Sequence, residues 1–125
     1  MELVVNPNGV PRPGGSYSIV VRKGSLIFVS GLAGMDEKRR LVGDDIRSQT
    51  AKAIENLSKA LAAVGSILGD VCSVSVYLAD VERDYQAFDD VYRSYFEDEP
   101  PARVVVGVTI RGGALVAIQA TAVVE

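Results

Sequence analysis

The chain has 125 residues, 48% hydrophobic and 23% charged, with a formal net charge of -3, one cysteine and no histidine. These figures fit a single soluble globular domain over residues 1–125, long enough to bury roughly two-thirds of its unfolded surface without disulfide or metal staples. They exclude an intrachain disulfide, any Cys/His zinc cluster, and hydrolytic chemistries built on histidine.

The opening stretch from Met1 to Pro13 has neither a cationic region nor an apolar run, and no apolar run in the chain reaches the roughly 18 residues a membrane span needs. A cytoplasmic protein without a membrane partner is the expectation. The acidic balance argues against nucleic acid as a partner, because phosphate-backbone binding rests on clustered Lys and Arg, and Lys38-Arg39-Arg40 is too short a patch. The scarcity of Asn, Gln, Cys and Met suits a heat-adapted source.

Asn6-Pro7-Asn8-Gly9 and Pro11 to Gly15 are dense in turn residues and read as ordered loop. Tyr17 to Val21 and Leu26 to Val29 are β-rich runs flanking Gly24, which can supply the positive φ of a hairpin. Asp36 to Gly43 is a charged connection. From Ile46 to Val64, apolar residues at Ile46, Ala53, Ile54, Leu57, Ala60, Leu61 and Val64 mark one face of a helix. Asp44 or Asp45 can cap its start, and Gly65 stands where a left-handed cap ends it. Val71 to Ala79 alternates as a strand, with Cys72, Val74, Val76 and Leu78 on the buried face and Cys72 read as a small buried hydrophobe.

Asp84 precedes an aromatic stripe of Tyr85, Phe88, Val91, Tyr92, Tyr95 and Phe96, a second amphipathic helix stopped by Pro100-Pro101. The stripe reads as core. Ala102 to Ile110 and Ala114 to Val124 are Val-rich strands, and Arg111-Gly112-Gly113 between them reads as the turn of a second hairpin. The order is ββαβαββ, an α+β fold with one sheet and two helices on one of its faces. The other face would carry apolar side chains with nothing over them, which a homo-oligomer packing sheet on sheet would bury.

Several residues could carry chemistry. Arg103, at the start of a Val-rich strand, is either a sheet-edge charge kept in solvent or a fork for a carboxylate, which a guanidinium binds in bidentate fashion. Tyr17 is a cross-strand packing residue or a hydroxyl donor. Ser30 and Gly31 taken alone indicate a turn. Asp89 beside Asp90 reads as a solvated helix charge, and Gln119 on an apolar strand must find hydrogen bonds if buried. Asp44-Asp45 could at most recruit a hard cation weakly, so no metal site is expected.

The element order, Gly15-Ser16-Tyr17-Ser18, Val29-Ser30-Gly31, Gln49-Thr50 to Glu55-Asn56-Leu57, and above all Pro101-Ala102-Arg103-Val104, resembles the RidA/YjgF family from about Asn6 to Val123. The resemblance implies a homotrimer of the chorismate-mutase-like fold (bacillus type), with a central barrel of three sheets and a small-molecule site at each subunit interface. It implies hydrolysis of reactive enamines and imines, of the 2-aminoacrylate kind, to 2-oxo acids and ammonia without a cofactor. The family has also been described as an endoribonuclease. Carried over residue by residue, Arg103 would hold a small substrate's carboxylate, Tyr17 would line the site, and Ser30 and Gly31 would supply a hydroxyl and a backbone N–H.

This chain departs from the family pattern at four points. Leu32 replaces the usual Gln after Ser-Gly, Asp89 replaces an Asn, and Val105 stands two after Pro-Ala-Arg where Cys or Thr is common. Gln119 stands where the family's last strand has a Glu that handles the proton of the attacking water. Gln can orient a water but cannot take its proton. The resemblance therefore leaves three readings: an enamine/imine deaminase, a 2-oxo acid binding module of the same fold, or, ranked last, an endoribonuclease working without histidine.

Overall fold

The computed structural model describes residues 1–125. Six strands, β1 (Glu2–Val4), β2 (Val20–Lys23), β3 (Leu26–Ala33), β4 (Val71–Leu78), β5 (Ala102–Gly107) and β6 (Val116–Val123), and two helices, α1 (Ile46–Ala62) and α2 (Val81–Tyr95), alternate along the chain. The strands form one mixed sheet in the order β1-β2-β3-β6-β4-β5.

The local signals explain most of these limits. Gly24, at φ 61°, turns β2 into its antiparallel partner β3. Asp45 caps α1 by accepting the Ser48 N–H at 2.9 Å, and that main-chain hydrogen bond holds its carboxyl below the ordinary range. Gly65, at φ 80°, turns the chain away after the helix. All seven apolar residues of the α1 stripe are buried. Helix α2 begins earlier than the aromatic stripe suggests, with Asp80 accepting the Arg83 N–H at 3.1 Å. Asp84 is a buried first-turn residue held by Arg83 through bonds of 2.9 and 2.8 Å.

Three expectations are corrected. The chain has one strand more than ββαβαββ, because Glu2–Val4 pairs with β2; three residues are too few for an alternation to register. The second hairpin does not exist. Strand β5 lies at the sheet edge parallel to β4, and β6 runs antiparallel between β3 and β4. The helix α2 is the crossover that makes β5 parallel to β4. The stretch containing Gly112 and Gly113, both at positive φ, carries the chain back past β4 to the middle of the sheet.

Cys72 is exposed, with its thiol donating to the Thr121 carbonyl at 3.4 Å. The register with β6 shifts between Val71 and Ser73, so Val71 and Val74 both face inward and Cys72 is the extra residue of a bulge.

Both helices cover one face of the sheet. Ile27, Val29, Leu32, Val74, Val76, Leu78, Val116, Ile118 and Ala120 meet Ala53, Ile54, Leu57, Leu61, Phe88 and Tyr92 in a single core. On the other face Phe28 and Val104 are 47% and 52% exposed, and Val106 and Val123 lie open beside them. That face is uncovered within one chain. No helix is long and apolar enough to cross a membrane.

Candidate active site

Strand β5 alternates, and its register sets Arg103 opposite the buried Val74, on the helix side of the sheet. There the guanidinium slides under α2. Arg103 Nη1 donates to Asp89 Oδ1 at 2.7 Å and Nη2 to Tyr85 Oη at 2.8 Å. The guanidinium carbon stands 4.7 Å from the Tyr92 ring centre and 5.7 Å from those of Phe88 and Tyr85. Aromatic faces attract a planar cation, and their bulk removes water from it.

Asp89 is itself shared, its other oxygen lying 3.3 Å from Arg93. The Arg103 and Asp89 side chains are each 20% exposed, so the pair is neither solvated nor sealed. Burial works against the Arg103 charge, but the Asp89 hydrogen bond and the neighbouring phenols outweigh it and raise the pKa above its ordinary value. Burial likewise pushes the Tyr92 phenol up to about 12. A cavity of about 350 Å³ opens beside this group, walled by Asp89, Tyr92, Arg93, Glu97, Pro101 and Arg103 among others. Two of the guanidinium's N–H donors are taken, and the others remain for an incoming carboxylate.

The other sequence-predicted residues gather elsewhere. The register between β3 and β6 runs Val29 with Ala120, then Leu32 with Ile118, so Ser30 and Gly31 together oppose Gln119. This is a β-bulge of the kind that re-aims side chains. Ser30 Oγ donates to the Ser18 carbonyl at 2.7 Å, and a Cβ on Gly31 would meet nothing within 4 Å. Gln119 is exposed on the uncovered face, where Tyr77 Oη makes a long contact of 3.4 Å to its Oε1. Tyr17 Oη accepts the Gly14 N–H at 2.9 Å and, with Gly31, lines a second cavity of about 110 Å³.

One chain therefore carries two separate clusters. Arg103, Asp89 and Val105 belong to the β5–α2 edge on the helix side, with Val105 partly buried against the core. Tyr17, Ser30, Gly31 and Gln119 belong to the β3–β6 bulge. Arg103 and Gln119 lie on opposite faces, since their ladder partners on β4 are Val74 and Ser75. Two strand spacings, roughly 10 Å, also separate β5 from β6.

The sequence reading missed Tyr85, Tyr92 and Arg93 as neighbours of Arg103, because an aromatic stripe at helical spacing reads as core. The signal was the Tyr85 hydroxyl and the Asp89 carboxylate within it. Asp89 itself is set against Arg103 rather than in solvent. No three carboxylate or thiol groups come together as they would around a metal ion.

Known proteins share this arrangement of elements. The family model described as Endoribonuclease L-PSP matches residues 9–124. A RutC family protein of Saccharolobus solfataricus is 41% identical over 110 residues, 87% of this chain and 86% of its own. The 2-iminobutanoate/2-iminopropanoate deaminase of Dermatophagoides farinae is 32% identical over 117 residues, 92% of this chain and 91% of its own. A crystal structure of a Thermotoga maritima protein, 35% identical, superposes with a TM-score of 0.93 over 100% of this chain and 99% of the other.

Proposed function

This chain belongs to the RidA/YjgF family, whose model carries the description Endoribonuclease L-PSP, and we propose that it is an enamine/imine deaminase working at sites assembled between copies in a homotrimer. The observation that carries the reading is Arg103, a guanidinium packed under aromatic rings with donors to spare beside an open cavity. A 2-imino acid presents a carboxylate next to its electrophilic carbon, and the Arg103 fork suits that group.

With the carboxylate on Arg103 of one copy, the C=N carbon faces the Ser30–Gly31 bulge, Tyr17 and Gln119 of the next. An enamine first takes a proton at its β-carbon to become the imine. Water then adds to the imine carbon, one of its protons passes to the nitrogen, and the resulting carbinolamine expels ammonia as the C=O bond forms. The products are a 2-oxo acid and ammonia, and the balance calls for no cofactor. Gln119 can hold the water through its amide but cannot accept a proton. The substrate nitrogen, which must be protonated to leave, is the acceptor. Two features support a site between copies: Arg103 and Gln119 lie on opposite faces of one sheet, and an apolar face awaits a cover.

The test is release of 2-oxo acid and ammonia from freshly generated 2-aminoacrylate and 2-aminocrotonate by the wild type and by Arg103→Ala. Turnover in the wild type that falls at least about a hundredfold in the variant is expected, the loss of a charged bidentate contact being worth about 3 kcal/mol. Gln119 favours one second reading, a module that binds 2-oxo acids without turning over imines. Thermal stabilisation of the wild type by 2-oxo acids with no hydrolysis would establish that module instead. Ribonuclease chemistry finds neither a histidine nor a basic net charge in this chain.

A further inference from the structure

We propose that Arg39 and Arg111 form a second anion-recognition element in the cavity beside the Ser30–Gly31 bulge, and that the substrates are imines or enamines bearing a second carboxylate. The inference rests on the reading of Arg103 as the clamp for the first carboxylate.

The cavity of about 110 Å³ is lined by Tyr17, Gly31, Leu32, Ile110 and the two arginines among others, with no Asp or Glu in its wall. The ion pairs of the molecule engage Arg40, Arg47, Arg83, Arg93 and Arg103; of the four arginines left without a carboxylate partner, Arg39 and Arg111 are the two that line this cavity. Each is instead tethered to the carbonyl side of one loop. Arg39 Nη1 donates to the Arg12 carbonyl at 2.9 Å, and Arg111 Nη2 donates to the Gly14 carbonyl at 3.2 Å. Gly14 is also the residue whose N–H fixes the Tyr17 hydroxyl. The tethers orient both guanidiniums and spend only part of their forks.

Arg39 is also the sole non-glycine residue at positive φ, 63°. A glycine would make that turn without the steric penalty an arginine carries there. The strained residue puts an arginine in the cavity wall, where a glycine would bring no charge. Both side chains carry a positive charge with no carboxylate beside it in this wall, so an anion entering the cavity would meet attraction from each. The cavity has room for about three or four water-sized groups, enough for a short arm ending in a carboxylate. The class is 2-imino dicarboxylic acids of four or five carbons, held by Arg103 of one copy at one end and by Arg39 and Arg111 of the next at the other.

The experiment is calorimetric binding of 2-oxoglutarate and of 2-oxopentanoate, equal in chain length and differing in the terminal carboxylate. It uses the wild type, Arg39→Gly, Arg111→Gln and the double variant. Arg39→Gly relieves the turn, so its melting temperature should not fall. The wild type is expected to bind 2-oxoglutarate about tenfold or more tightly than 2-oxopentanoate, as one charged hydrogen-bonded pair would give. The double variant should lose that preference and bind 2-oxopentanoate as the wild type does. Equal binding of the two acids by the wild type, or a preference that survives in the double variant, overturns the inference while leaving Arg103 as the clamp. Binding of neither acid overturns the Arg103 reading, and this inference with it.

Discussion

Asp89 governs what Arg103 can do. By taking one Nη1 donor it fixes the fork against α2, and by sharing itself with Arg93 it leaves the three-residue group one positive charge in excess. Tyr92 contributes a ring rather than a polar contact, since its buried hydroxyl has no hydrogen-bond partner. Its phenol, pushed up to about 12 by burial, gives a pH signature. An unfolded tyrosine ionises near pH 10. Below that value both states are neutral and the contribution to stability is complete. Between about 10 and 12 only the unfolded chain ionises, so the contribution is lost as pH rises through that window. In a tyrosinate absorbance titration of the folded protein, one residue's signal should develop only as pH approaches about 12, and Tyr92→Phe should remove that step. A titration unchanged by the substitution would contradict the burial argument.

Between residues and molecule, the positions of two elements matter most: the bulge in β3, and the close approach of α1 where β3 ends. Gly34 follows β3, and a Cβ there would fall on the main chain of Gln49 in α1, where no side-chain adjustment can make room. Gln49 in turn bridges the Gly43 carbonyl and the Leu115 N–H at 2.7 and 2.9 Å, tying α1 to the segment that leads into β6. Gly34→Ala is therefore expected to cost about 3 kcal/mol, read as a lower urea midpoint with an unchanged slope. An unchanged midpoint would mean that α1 moves freely against the sheet.

At this scale the sequence was most legible where a signal was long and local. The α1 stripe, its Asp45 cap and the Gly24 turn all stand where periodicity and turn chemistry put them. Pairing was not legible. Two Val-rich runs around Arg111-Gly112-Gly113 announce strands but not partners, and the partner of β5 was decided by the crossover through α2. Cys72 was misplaced for a related reason, since a bulge shifts an alternation by one residue without leaving a mark in composition. At the site, Arg103 and Asp89 were visible as residue types, while their contact depended on which face β5 turns toward α2.

Over the whole molecule, one sheet holds helices on one side and bare apolar residues on the other, a condition the strand patterns already implied. Arg103 and Gln119 fall on opposite faces, so a single chain cannot close one substrate between them. A ring of copies, each offering its β5–α2 edge to the next copy's β3–β6 bulge, resolves both facts with one operation.

The most direct test of that account mixes two inactive chains. Arg103→Ala removes the clamp, and Gly31→Leu fills the open space at the bulge. Each variant alone should be a trimer by light scattering and inactive toward 2-aminoacrylate. Co-refolded in equal amounts, they should recover about a quarter of the wild-type activity, because every mixed three-membered ring contains one interface with both halves intact. Mixed trimers that stay inactive would place the whole site within one chain and contradict the shared-site account.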